Sequence, residues 1–362
     1  MNGEGPPRVE TVGKAPLDGV IVCGMGPLAL RRHLEPAKSN NQLVQGVGRG
    51  LVMEEDNPVA KNIYTTLNAV AAKLLVVGGM TERVILSGYD SAKNNPHSHP
   101  IEQALTEASL LAATYDRTQP QHIRPEQRQI ADQKTRILDT KASSTTFNIL
   151  EGINFLDKEA GGYWEGNLAI MSSEWHIPRL WETIKAFGLD KRGVTVLSTE
   201  RVLRHYGYNP DYQKIYANLD KTQPEIGRIY EDLIPFAPHE EITYKGQSIQ
   251  MENLRNNPYY VSARLASIVS PRRFWEIATS FKRYYQERDI AVPDIYNKLP
   301  DSFDEHFDFS TFKKAFQASE MRPVTKEYSA PETTQSYRIL AKTVGEVTDS
   351  FFATHNPKGS IQ

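Results

Sequence analysis

The stretch Gly-Val-Ile-Val-Cys-Gly at residues 19–24 decides the fold. It is too short for a helix, rich in β-branched residues and closed by glycine, which is typical of a buried strand in a parallel sheet. Four later runs share this character and are separated by helical patterns: 83–87, 135–139, 168–172 and 194–198. The alternation predicts an α/β protein: a Rossmann-like three-layer αβα sandwich with a mostly parallel sheet.

Helix signals lie between the predicted strands. Asn57-Pro58 precedes an apolar run over 59–77, and His99-Pro100 precedes a second helical pattern over 101–115. A third helix is predicted from Thr145 or Thr146 to about Gly161, and a fourth over 174–187. The connections 24–56 and 116–134 are long for such a sheet, so each is either a cover over a ligand site or a plain surface insertion.

The chain has 362 residues and a mass of 40.9 kDa, enough for two domains. The sequence predicts a flexible arm over 1–16, the α/β domain over 17–200, and a mainly helical C-terminal region over 201–362 that packs on or extends the first domain. The clearest helix there is 271–288. Its predicted apolar stripe is Phe274, Ile277, Ala278, Phe281, Tyr284 and Tyr285, and its polar face is Arg272, Arg273, Lys282, Arg283 and Arg288.

Charge and cysteine content exclude several classes of protein. The 42 basic and 44 acidic side chains leave a net charge of −2, so no overall field attracts nucleic acid or an anionic membrane. The single cysteine, Cys23, excludes an intrachain disulfide and a cysteine-based zinc site, and we expect it to be a buried small side chain. A single cysteine suits a reducing compartment, and no apolar stretch reaches the roughly 20 residues that a membrane span needs. We therefore expect a cytoplasmic protein without a membrane span.

Candidate site residues follow the predicted strands, because ligands of open parallel sheets bind beyond the carboxyl ends of the strands. The Gly24-Met25-Gly26 turn lacks the third glycine of a dinucleotide loop, which disfavours a Rossmann dehydrogenase and leaves an ordinary tight turn as the alternative. The predicted ligand-binding residues are Gly24, Gly26, Ser87, Gly88, Asp139, Ser144, Thr146, Asn148, Ser172, Ser173 and Arg179.

The segment 172–179 is the most informative of these. His176 and Arg179 are three residues apart and share one face of a helix if the helix has begun at His176, and a helix N-terminus there suits phosphate or carboxylate. His176 can also transfer a proton near neutral pH. The alternative is a capping serine with a surface salt bridge from Arg179 to Glu182 or Glu174.

Two other motifs are weaker. The Ser/Thr-rich stretch 143–148 suits an anion or a sugar, but on its own it shows only that a helix begins. His97 and His99 beside Asp90 are zinc-ligand types, yet no third or fourth ligand is evident and the neighbouring Asn-Asn-Pro indicates a plain loop. The sequence therefore predicts no metal site.

Five motifs in chain order resemble the bacterial YdcF/SanA/ElyC family, over about residues 17–200. They are the opening strand 18–24, the strand 84–88 that ends in Ser-Gly, Thr106-Glu107-Ala108, the stretch 137–148, and Ile-Met-Ser-Ser-Glu-Trp-His-Ile-Pro-Arg at 170–179. The chain departs from the family where Tyr89 replaces a second glycine. It also has no arginine early on the first helix, where Arg31, Arg32 or Arg49 could substitute.

The resemblance implies a Rossmann-like domain with a polar cleft, a link of some members to the cell envelope, and S-adenosylmethionine binding in one branch. It carries over nine candidate positions: Gly24, Ser87, Gly88, Glu107, Thr146, Asn148, Ser172, His176 and Arg179. The chemistry of the family is unassigned, so the resemblance implies a site and a fold rather than a reaction.

Taken together, the patterns predict an enzyme acting on a phosphorylated or nucleotide-like small molecule. His176 would donate or accept a proton, Arg179 would bind the anionic group, and Glu107 would orient the substrate or accept a proton. The alternative is a non-catalytic module that binds or senses a nucleoside or S-adenosylmethionine together with a protein partner. RNA binding through the basic face of 272–288 is disfavoured, because aromatic residues in such a helical stripe usually belong to the core and the charged residues opposite them usually face solvent.

Overall fold

The computed structural model of the chain describes residues 15–24, 51–52, 63–88, 108, 111–112, 115–116, 119–120, 124–138, 145–208, 240–244, 247–250, 268–287, 292–318, 324–328 and 330–355. The first half consists of β1 (Gly19–Cys23), β2 (Leu51–Val52), α1 (Ile63–Val77), β3 (Val84–Ser87), β4 (Gln119–Pro120), α2 (Pro125–Gln133), β5 (Thr135–Leu138), α3 (Thr145–Glu159), β6 (Leu168–Ser172), α4 (Ile177–Ala186), β7 (Thr195–Ser198) and α5 (Thr199–His205). The rest consists of β8 (Glu240–Tyr244), β9 (Gln247–Gln250), α6 (Pro271–Glu287), α7 (Phe309–Ala318), β10 (Val324–Tyr328) and α8 (Ala330–Thr354).

Five strands form one parallel sheet in the spatial order β5-β3-β1-β6-β7. The register places Ile21 of β1 opposite Ile85 of β3 on one side and Ile170 of β6 on the other. The predicted α/β fold and all five predicted strands are confirmed. Since the chain winds outward from β1 to β5 and then returns to β6, the sheet has a topological switch point between β1 and β6.

Helices cover both faces of this sheet because successive strand residues point to opposite sides. Ile21 and Ile170 pack with apolar residues of α3 and α4, whereas Val20, Val22 and Leu86 pack with those of α1 and α5. One core lies on each face of the sheet, so the sheet and the helices on its two sides form the three predicted layers. Cys23 is buried in the first of the two cores, as expected from its sequence context.

The connection 116–134 differs from its prediction. Instead of a long loop it contains the helix α2, which has Pro125 in its first turn, where the missing backbone N–H costs no hydrogen bond. The two-residue strands β2 and β4 pair antiparallel, with Leu51 opposite Pro120, and so join the two long connections to each other.

The C-terminal region continues the first core. Phe274, Ile277 and Phe281 of α6 are buried beside residues of α4, with the rings of Phe187 and Phe281 5.6 Å apart. The apolar stripe is therefore confirmed where it is described; the Tyr284 side chain lies outside the described residues. This region also contains a small sheet that the sequence analysis did not predict, in which β8 pairs parallel with β10 and antiparallel with β9.

The predicted polar face of α6 is wrong at Arg273, which is buried. Its side chain is 6% exposed and pairs with Asp157 of α3, which is fully buried. Helical periodicity assigned Arg273 to the solvent side, but the position faces α3, where a carboxylate makes burial of the guanidinium tolerable.

The last helix, α8, covers the edge of the sheet formed by β7. The hydroxyl of Thr348 accepts a hydrogen bond from the backbone N–H of Ser198 (2.8 Å) and donates to the carbonyl of Val196 (3.4 Å). A side chain thus satisfies edge-strand groups that would otherwise pair with another strand. Among the described residues, no helix is long and apolar enough to cross a membrane.

Candidate functional site

Asn68 of α1 lies at the switch point and joins the ends of three strands. Its side-chain amide donates to the carbonyl of Cys23 (3.1 Å), and its oxygen accepts from the hydroxyls of Thr199 (2.6 Å) and Ser173 (3.5 Å). Asn68 was not among the site residues predicted from the sequence. The available signal was a single amide within the apolar run of α1, where a buried polar side chain needs partners.

His176 lies between two side chains that the sequence analysis also selected. Its Nδ1 is 2.8 Å from the Ser172 hydroxyl, and its Nε2 contacts Nη2 of Arg179. The two side chains are in contact, as their spacing suggests, but α4 begins only at Ile177 and His176 lies in the turn that precedes it. Ser172 and His176 are both buried, with His176 only 2% exposed.

The contact with Arg179 determines where the imidazole carries its proton. A guanidinium has no lone pair to accept with, so Nε2 of His176 must be the acceptor and the proton sits on Nδ1. Nδ1 then donates to the Ser172 hydroxyl. In this tautomer His176 cannot take a proton from Ser172, so the geometry disfavours a serine nucleophile activated by this histidine.

The ends of β1 and β3 contribute backbone and a short polar side chain. The N–H of Gly24 donates to the carbonyl of Ser87 (2.9 Å), and the Ser87 hydroxyl donates to the carbonyl of Asn148 in the first turn of α3 (3.2 Å). The carbonyl of Gly88 accepts from the N–H of Ala108 (3.4 Å). Asn148 is 5% exposed, and its side-chain oxygen has no hydrogen-bond partner among the residues that the structure describes.

The structure therefore brings Ser172, Ser173, His176 and Arg179 together, and ties Gly24 to Ser87 and Asn148. Gly26, Glu107, Asp139 and Ser144 lie outside the described residues, and so do Asp90, His97 and His99; of Thr146 only the backbone in α3 is described. Glu182 and Glu174 were the alternative salt-bridge partners predicted for Arg179. In the structure Glu182 pairs with Lys185 (2.5 Å) and Glu174 pairs with Arg201 (3.0 Å).

Glu200 is a second residue that the sequence analysis missed. It is fully buried, and its Oε2 accepts from the N–H of Glu174 (2.7 Å) and the hydroxyl of Ser198 (3.1 Å). Burial, helped by the nearby Glu174 carboxylate, raises the pKa of Glu200 to about 8. The signal was present, since Glu200 follows the predicted strand 194–198 by two residues and the same strand-end argument applies there.

A cavity of about 190 Å³ lies at the opposite, N-terminal end of the strands, where β6 and β7 begin. Trp164, Tyr163 and Arg192 line it, with Arg273 at the junction with α6. Its charged groups are already paired within the chain: Arg192 contacts Glu276, and the Tyr163 hydroxyl donates to the same carboxylate (2.8 Å). This cavity is a junction between helices, separate from the strand ends.

The described residues contain no group of three or more histidine, cysteine or acidic side chains that could hold a metal ion. The fold and its strand ends define the class: an α/β protein with a Rossmann-like parallel sheet and polar side chains at the switch point. Comparison with family models, curated proteins and solved structures finds no match that would narrow this class to a particular family.

Proposed function

We propose that the chain is an enzyme that binds a small phosphorylated or nucleotide-like molecule beyond the carboxyl ends of β1, β3 and β6. The contact between Arg179 and a neutral His176, at the start of α4 and beside the switch point, carries this proposal. A guanidinium next to a helix N-terminus favours a phosphate or carboxylate.

The same contact supports a role for His176 in proton transfer. In the arrangement described, Arg179 covers the lone pair of Nε2. An anionic group that attracts the guanidinium would uncover this lone pair, and Nε2 would then accept a proton from the bound molecule. Ser172 would keep the ring oriented by accepting from Nδ1. Glu107, predicted to assist, stays a prediction because it lies outside the described residues.

A second candidate is a non-catalytic module for a nucleoside or S-adenosylmethionine, acting with a protein partner. The buried side-chain oxygen of Asn148, which lacks a partner among the described residues, favours it. Such an acceptor suits a ribose hydroxyl or an exocyclic amine, neither of which needs Arg179. Both candidate functions include membership of the YdcF/SanA/ElyC family, which rests on the order of the motifs. Both also include a cytoplasmic location, which rests on the single cysteine.

The test compares ligand binding in three forms of the full chain: wild type, Arg179→Gln, and Arg204→Gln as a control at an exposed arginine of α5. Adenosine 5′-monophosphate, inorganic phosphate and S-adenosylmethionine are titrated by calorimetry, and mass spectrometry shows whether a bound probe is altered. Loss of one charge-assisted contact should weaken binding of the phosphate probes about 10- to 100-fold in Arg179→Gln alone.

Equal affinity of the Arg179→Gln and wild-type chains for the phosphate probes would refute the anion site. Binding of S-adenosylmethionine without chemical change, undiminished in Arg179→Gln but lost in Asn148→Leu, would favour the second candidate. Conversion of a phosphate probe by wild type, lost in His176→Gln, would support the enzyme.

A further inference from the structure

One carboxylate oxygen holds the turn that carries His176. This turn, Glu174–His176, connects β6 to α4, and its first backbone N–H, that of Glu174, donates to Oε2 of Glu200 at 2.7 Å. The same oxygen accepts from the Ser198 hydroxyl at 3.1 Å. Glu200 thus links the end of β7 to the residues that follow β6, and it does so from a fully buried position.

We propose that Glu200 is a positioning residue of the His176 site, fixing the Glu174–His176 turn and with it the imidazole that contacts Arg179. The inference rests on the proposed function for its ligand, but the link between Glu200 and His176 can be tested without any ligand. Glu200 acts through the backbone of Glu174 and has no assigned contact with substrate.

The charges around Glu200 explain why its protonation matters. The Glu174 carboxylate repels an ionised Glu200 from the turn. Arg201 of α5 interacts with Glu174 and with Asp349 of α8, and His205 of α5 lies near Asp349. Arg201 contacts both Glu174 and Asp349, so its single positive charge is shared between two carboxylates. An ionised Glu200 would place a further negative charge beside Glu174, at a position that is itself fully buried.

The neutral form of Glu200 avoids this repulsion and still accepts both hydrogen bonds. With its pKa raised to about 8, the carboxyl is mostly protonated at pH 7. As it ionises, the new charge repels the Glu174 carboxylate, which favours entry of water or movement of the Glu174 turn away from Glu200. We therefore expect the geometry of His176 to change as the pH rises through about 8.

The first experiment observes His176 directly in the ligand-free full chain. Histidine rings are labelled with ¹⁵N, His176 is assigned by its absence from His176→Gln, and spectra are recorded from pH 6.5 to 9.5. In wild type the Nδ1–H tautomer of His176 should be present at pH 7 and its signals should shift or broaden above about pH 8. Glu200→Gln is neutral at every pH and should keep the pH 7 spectrum throughout.

Two further variants separate positioning from general damage. Glu200→Ala removes the acceptor, so it should lack the wild-type His176 signals at all pH values. Glu182→Gln, at a nearly buried glutamate that pairs with Lys185 on α4, should titrate as wild type does. Identical pH dependence of the His176 signals in wild type and Glu200→Gln would overturn the proposal, as would a wild-type spectrum from Glu200→Ala.

A second experiment measures binding of adenosine 5′-monophosphate at pH 7 and pH 9. If only the neutral form of Glu200 holds the site, wild-type affinity should fall about tenfold, while that of Glu200→Gln should be unchanged. No binding at either pH, with the expected histidine spectra, would refute the proposed function and leave Glu200 as a positioning residue. Binding with the same pH dependence in both forms would support the function and refute the role of Glu200.

Discussion

Asp157 of α3 and Arg273 of α6 form a buried ion pair between residues 116 positions apart in the chain. The guanidinium contacts both carboxylate oxygens, at 3.2 and 3.3 Å, and donates to the carbonyl of Trp164 at 2.8 Å. The two side chains are 0% and 6% exposed. The pair fastens the C-terminal helix α6 to the layer that covers one face of the parallel sheet.

Removing one partner of this pair should be costly. Asp157→Asn removes the nearer of two carboxylates from a buried guanidinium and leaves it only Glu276 (3.4 Å), which also pairs with Arg192, so we expect the free energy of unfolding to fall by up to about 3–5 kcal/mol. The control is Glu159→Gln, which breaks the half-exposed Arg83–Glu159 pair (2.5 Å) and should cost less than about 1 kcal/mol. Urea unfolding measures both. Equal losses for the two variants would contradict the prediction.

Asn68 should contribute to stability as well as to the arrangement of the strand ends. Asn68→Ala removes three hydrogen bonds to buried groups of β1, the β6 turn and α5, and we expect a loss of about 2–4 kcal/mol. Asn167→Ala is the matched control, because this exposed asparagine donates to the carbonyl of Pro16 at the surface. A loss for Asn68→Ala no larger than that of the control would show that the network adds little.

Thr348 tests how α8 covers the edge of β7. Thr348→Val keeps the shape of the side chain but leaves the N–H of Ser198 and the carbonyl of Val196 without this partner, which should cost about 1–3 kcal/mol. Thr348→Ser keeps the hydroxyl and should cost less. Chemical denaturation of the two variants decides the matter, and a valine variant as stable as wild type would mean that the hydroxyl is dispensable.

Lys73 predicts a stability that rises with pH in the alkaline range. Burial lowers the pKa of Lys73 to about 8, partly offset by Asp132, while its amine donates to the carbonyl of Tyr115. Between pH 8 and the ordinary lysine value of 10.5 the unfolded chain binds more protons than the folded chain. The free energy of unfolding should therefore rise by up to about 1.4 kcal/mol per pH unit across this window.

The comparison with Lys73→Met isolates this effect, because the thioether side chain does not titrate. Unfolding free energies of both forms are measured by urea denaturation at several pH values from 7.5 to 10.5. The difference between wild type and Lys73→Met should increase with pH and become constant above the range. Parallel curves would mean that Lys73 keeps an ordinary pKa in the folded chain.

Short-range sequence patterns were sufficient to predict the five-stranded parallel sheet, but not the small sheet of β8, β9 and β10 or the helix α2. The β-branched runs predicted all five parallel strands, since a buried parallel strand needs little beyond apolar residues and a terminating turn. The polar strand Glu240–Tyr244 has no such signature, because its pairing depends on β9 and β10, the latter about 80 residues further along the chain. The polar helix α2 was likewise missed within a segment interpreted as a loop.

The candidate site was likewise predictable from the sequence only in part. The three-residue spacing of His176 and Arg179 and the serines at the end of β6 were visible in the sequence, because helix geometry and strand ends are local properties. By itself the sequence determined the α/β class, the strands and the amphipathic face of α6. Only the tertiary structure decided the tautomer of His176, the raised pKa of Glu200 and the burial of Arg273, because proton positions and buried charges depend on partners and solvent exclusion supplied by distant parts of the chain.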